Sequence, residues 1–74
     1  MLYTIVDKDI AENAGFRPSG HLVFDGKMVL NENELRTKGS DISDIAYSMG
    51  GVLLTRDDAV ETINRSINNK QEIK

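Results

Sequence analysis

Nine consecutive residues, Leu22-Val23-Phe24-Asp25-Gly26-Lys27-Met28-Val29-Leu30, do most to limit what this chain can fold into. Two apolar runs flank Asp25-Gly26, the residue pair that best supports a two-residue reversal between antiparallel strands. Such a turn sets Phe24 opposite Lys27 and Leu22 opposite Val29 on one face. It sets Val23 opposite Met28, and His21 opposite Leu30, on the other. Neither face is polar, so the ribbon has to be covered twice. At 74 residues the chain is one domain, near the lower size limit for independent folding. One of the two covers can therefore be another protein. That is the one hint of function in the sequence, and the sequence does not say what the protein does.

The flanking segments read as alternating strands and helices. Leu2-Tyr3-Thr4-Ile5-Val6 is β-branched and aromatic, which suits a strand. Asp7 is placed to cap a short helix over 8–14, with Ile10, Ala11 and Ala14 at helical spacing and Gly15 past its end. Pro18 makes Phe16–Gly20 a connector. Asn31 with Glu34 three residues on resembles a capping box. A turn or loop is nevertheless the favoured reading of 31–38, because Leu35 is the only apolar residue before Lys38-Gly39. Ser40 reads as the cap of an amphipathic helix carrying Ile42, Ile45, Ala46 and Met49. Gly50-Gly51 ends it, and Val52-Leu53-Leu54 reads as a short buried strand. Thr55 caps a last helix with Asp58 three residues on. That helix has a stripe of Val60, Ile63 and Ile67 aided by Ala59, and residues 70–74 are expected to fray. The expected architecture is a small α+β domain over residues 1–69 in the order β-α-β-β-α-β-α. A sheet containing the central Asp-Gly hairpin carries helices packed on one face.

Composition removes several function classes. The formal net charge is −3, and neither half of the chain is basic: residues 1–40 carry five basic and six acidic side chains, residues 41–74 four and six. Phosphate neutralisation is therefore poor, and nucleic acid is not an expected partner. There is no cysteine, hence no disulfide or thiolate chemistry. With His21 as the sole histidine, a zinc site lacks ligands, and no metal or cofactor is expected. No apolar run approaches the roughly 20 residues of a membrane span, and Met1–Val6 lacks the basic start of a signal peptide. Asn64-Arg65-Ser66 matches a glycosylation acceptor, a weak signal without a secretion signal. The expectation is a cytoplasmic protein with no evident small-molecule substrate.

Motif by motif, structural readings outweigh chemical ones. Gly15 to Leu22 has the glycine spacing of a phosphate-binding loop, but His21 and Leu22 stand where the lysine and hydroxyl are needed, and a strand follows instead of a helix. Asp7-Lys8-Asp9 begins like a calcium loop and then has Ala11 at the third ligand position. Asp57 and Asp58 suit the first turn of a helix better than a catalytic pair. His21 has no sequence neighbour that completes a catalytic set. Ala46 and Gly50 have the spacing of a helix-turn-helix, so a small DNA-binding regulator using 41–68 is the alternative function. Against it, the would-be reading helix opens Arg56-Asp57-Asp58.

The expected function is thus a non-catalytic protein-interaction or self-associating module, with a protein partner or a second copy of the chain as its ligand. The candidate contact residues are Val23, Met28 and Leu30, with His21 at the rim. The pattern does not fix which face of the ribbon is inside. Catalysis is the least expected class, since so small a domain seldom encloses a dry pocket.

Overall fold

The computed structural model describes residues 1–72, with side chains through Ile67. Strand β1 (Tyr3–Asp7) leads directly into helix α1 (Lys8–Asn13), and a connector reaches strands β2 (Val23–Phe24) and β3 (Lys27–Asn31). Helices α2 (Glu32–Arg36), α3 (Ile42–Ser48) and α4 (Arg56–Glu72) follow. The sheet is antiparallel in the order β1-β3-β2. Its register sets Thr4 against Leu30, Ile5 against Val29 and Val6 against Met28. Val23 lies opposite Met28, and Phe24 opposite Lys27. Between them Asp25 and Gly26 both have positive φ, +51° and +74°. That backbone matches the right-handed twist of the strands, and glycine adopts it without a steric penalty.

Strand alternation divides the sheet's side chains between two layers. On one side Thr4, Val6, Met28 and Leu30 meet Ala11 of α1, Phe16, Leu35 of α2, and Ala46 and Met49 around α3, forming the main core. Each fully buried Met or Leu side chain there contributes about 1.5–3 kcal/mol of transfer free energy. On the other side α4 lies across Tyr3, Leu22 and Val29, presenting Ala59, Val60 and Ile63. Ala59 is buried, and the Ser66 hydroxyl donates to Asp25 Oδ2 at 3.2 Å, anchoring α4 to the turn. The expectation of helices on one face is therefore corrected. Both apolar faces of the ribbon are covered by this chain's own helices, α1–α3 on one and α4 on the other.

Several local expectations change as well. Residues 32–36 are helical, because the capping box is complete: Asn31 Oδ1 accepts from the Glu34 N–H at 2.9 Å and Glu34 Oε1 from the Asn31 N–H at 3.0 Å. The reciprocal pair satisfies two otherwise unpaired donors, and Leu35 reaches the core. Asp41 and not Ser40 caps α3, its carboxylate accepting from the Asp44 N–H at 3.3 Å. Asp7 stands at the start of α1 but makes no side-chain cap; its carboxylate takes the Lys27 ammonium at 2.9 Å.

Val52–Leu54 is not a strand of the sheet. It touches β1 through a single antiparallel bridge, with Tyr3 N–H to Leu54 O at 2.8 Å and Leu54 N–H to Tyr3 O at 2.7 Å. Thr55 caps α4 immediately afterwards, accepting from the Asp58 N–H at 3.2 Å, so the chain leaves the sheet edge at once. Val52 is exposed, not buried. α4 shows no break at residue 69 and continues through 70–72; residues 73 and 74, also expected to fray, lie outside the described part. Its buried stripe is turned toward Ala59 and Ile63, leaving Val60 and Ile67 exposed.

Candidate binding groove

α4 does not close fully on the sheet. Between its first two turns and the Gly20–Leu22 segment lies a groove of about 300 Å3. Its apolar surface comes from Tyr3, Leu22, Val29, Ala59, Val60 and Ile63. The sequence builds it simply: Tyr3 and Val29 point to the α4 side by alternation, Leu22 lies opposite Val29, and Ala59 is too small to fill the space it faces. Leu22 and Val60 remain 55% and 48% exposed, so the groove has an apolar lip open to solvent.

Polar groups gather at the groove's margins. Arg56, the first residue of α4, makes no hydrogen bond or ion pair with any described residue. In contrast Lys8 pairs with Glu12, Lys27 with Asp7, Arg36 with Glu32 and Arg65 with Glu61. The Asp7 carboxylate raises the Lys27 ammonium above the ordinary lysine value, first by hydrogen bonding and then by charge. Lys27 lies away from the groove.

His21 and Glu34 form the second polar element. The His21 ring is held by two acceptors, the Arg17 carbonyl at Nδ1 (2.6 Å) and Glu34 Oε2 at Nε2. Phe16 meets the ring edge-on, with centroids 6.2 Å apart, and Lys38 Nζ lies over Phe16 at 5.2 Å. The His21 side chain is only 12% exposed. Glu34 serves twice, one oxygen capping α2 and the other holding the histidine.

Of the four candidate contact residues, His21 alone lines this groove. Met28 and Leu30 are fully buried in the main core. They cannot meet a partner, because the α1–α3 layer covers them. Val23 shares their side of the sheet but stands on the outermost strand, where it is 38% exposed. Leu22, Val60, Arg56 and Glu34 escaped the sequence reading. Leu22 and Val29 carried a usable signal, since they pair on the face opposite Met28. The connector 15–22 leads into β2 and not into a helix, which is the context a phosphate-binding loop requires.

Among the described residues no group of three or more His, Cys, Asp or Glu side chains is placed to hold a metal ion. Among the described residues no helix is long and apolar enough to cross a membrane. Compared with known proteins, the chain matches no family, no curated protein and no solved structure.

Proposed function

We propose that this chain is a non-catalytic protein-interaction module whose contact surface is the α4 groove. The ligand is a segment of a partner protein carrying a large apolar side chain next to a carboxylate. The apolar group sits between Leu22, Val60 and Ile63, and the carboxylate pairs with Arg56. The observation that carries this reading is a guanidinium with no partner among the described residues, at the margin of a solvent-open apolar groove. Apolar surface of this kind commonly marks contact sites. Arginine at an interface recognises carboxylates through its fork of donors.

A catalytic reading has less support. Both nitrogens of the only histidine are engaged, so neither is free to take a proton from a bound substrate. The DNA-binding alternative also has less support. α3 and α4 pack on opposite faces of the sheet, with α3 against α2, and α4 opens with Asp57 and Asp58 beside Arg56.

The test uses short peptides bearing Leu or Phe beside Asp or Glu, and matched peptides bearing Asn or Gln. The wild-type chain should retain the acidic set preferentially. Arg56→Gln should remove the preference, and Val60→Asp should remove binding. Equal retention of both sets, or binding unchanged by both variants, would sink the reading. Light scattering over a concentration series identifies the case in which the partner is a second copy: association would then be lost in Val60→Asp.

A further inference from the structure

We infer that the occupant of the groove is a second copy of this chain, which presents Tyr47 and Asp44 of its α3. The inference names the partner of the site proposed above and rests on that reading. Tyr47 is 78% exposed, more than any other large apolar side chain described. Asp44 lies three residues earlier, so the two side chains share one face of the helix. The Asp44 carboxylate makes no hydrogen bond or ion pair with any described residue; the bond from Asp44 to Asp41 uses the backbone N–H. α3 therefore displays a large apolar group beside an uncommitted acid, the pair that the groove and Arg56 are suited to take.

Size and charge both match. A groove of about 300 Å3 has room for one phenol ring between Leu22, Val60 and Ile63, with Asn31 and Glu34 on its polar side to meet the hydroxyl. Asp44 then pairs with Arg56. Arg56 lines the groove, whereas Asp57 and Asp58 beside it do not. The Glu34 carboxylate does line it, but is already held by His21 and the Asn31 N–H. Ile10 beside Asp9 is the nearest rival, and it is only 40% exposed. α3 and α4 pack on opposite faces of the sheet, so Tyr47 cannot enter the groove of its own chain. The contact is therefore between copies, and its two sides are different surfaces. Such an interface is head-to-tail: a joined pair still has one open groove and one open Tyr47.

A mixing experiment tests this directly. One side-chain anchor makes a small interface, so light scattering is carried to about millimolar protein. The wild type should associate. Tyr47→Ser and Val60→Asp should each weaken association at least about tenfold, the scale of losing a central aromatic anchor. Mixed together, the two variants should form a one-to-one pair that grows no further, because Val60→Asp still supplies Tyr47 and Tyr47→Ser still supplies the groove. Amide spectra of labelled Val60→Asp should then shift around residues 44–47 when unlabelled Tyr47→Ser is added. Both positions are exposed, and circular dichroism checks the fold; Arg56→Glu is the second groove variant should Val60→Asp unfold. A wild type that stays monomeric, a Tyr47→Ser chain that associates like the wild type, or a mixture that forms no pair would each overturn the inference. The peptide assay separates the two failures. Acidic peptides retained by a monomeric wild type leave the groove's function standing and remove the second copy as its ligand.

Discussion

A Cβ added to Gly51 would stand 2.3 Å from Thr4 Oγ1 and 2.8 Å from Val6 Cγ1. Gly51 is buried against β1 just where the chain turns from α3 toward α4, and Thr4 is fully buried. The position requires hydrogen in place of a side chain. Gly51→Ala should destabilise the fold by about 1–3 kcal/mol, the usual range for overpacking. Gly50→Ala is the control. Its φ is +83° and nothing lies within 4 Å of the added carbon, so only backbone strain of about 1 kcal/mol is expected. Urea midpoints at constant m should rank the two variants in that order.

The Thr4 hydroxyl is buried without a hydrogen-bond partner among the described residues. Replacing it with a methyl group of similar shape removes a desolvated polar atom. Thr4→Val should therefore stabilise the protein by about 1 kcal/mol. A lower melting midpoint would show that the hydroxyl has a partner in solution.

Met28 and Val60 are both apolar but lie in opposite environments, fully buried and 48% exposed. Met28→Ala should cost about 2–5 kcal/mol by leaving a cavity in the main core. Val60→Asp should change stability by no more than about 0.5 kcal/mol. Circular dichroism during thermal unfolding reads both, and a folded Val60→Asp is the condition for using it in binding tests.

Asn31 carries one half of the capping box. Asn31→Ala leaves the Glu34 N–H without its cap and should cost about 1 kcal/mol. Faster amide exchange should appear in α2 first.

Lys27 is held above its ordinary value by Asp7. A raised folded-state value means that the stabilisation is fully present below the unfolded-state value. It is lost as pH rises through the folded-state one, on the alkaline side of the normal lysine range. The Lys27 side chain is 46% exposed, so solvent screens the pair and the effect is small. Asp7→Asn should flatten this part of the alkaline stability profile and leave the profile below neutrality unchanged in that respect.

The mixture of strands and helices is legible in the sequence because its signals are local: β-branched runs, caps and a 3.6-residue stripe. What the sequence hides is sidedness. A ribbon apolar on both faces does not say whether Met28 or Leu22 is inside. The stripe of α4 announces a buried face without naming the sheet surface that receives it. Residues 32–36 escape because one apolar residue, Leu35, makes no periodicity, although Asn31 and Glu34 already carry the helix start. Val52–Leu54 has strand composition, yet Thr55 turns the chain into α4 before a second bridge to β1 can form. Arg56 stands at the groove without an acidic partner among the described residues, and no spacing in the sequence encodes that.

The two faces of the sheet differ in how they are held. Thr4, Val6, Met28 and Leu30 are closed in by three short helices, while the opposite face depends on α4, tied at the Tyr3–Leu54 bridge and at Ser66–Asp25. A layer built from one helix can open as a unit while the other stays packed. The groove therefore borders the layer held by the single helix, and a ligand bridging Leu22 and Val60 would fasten α4 to the sheet as it binds.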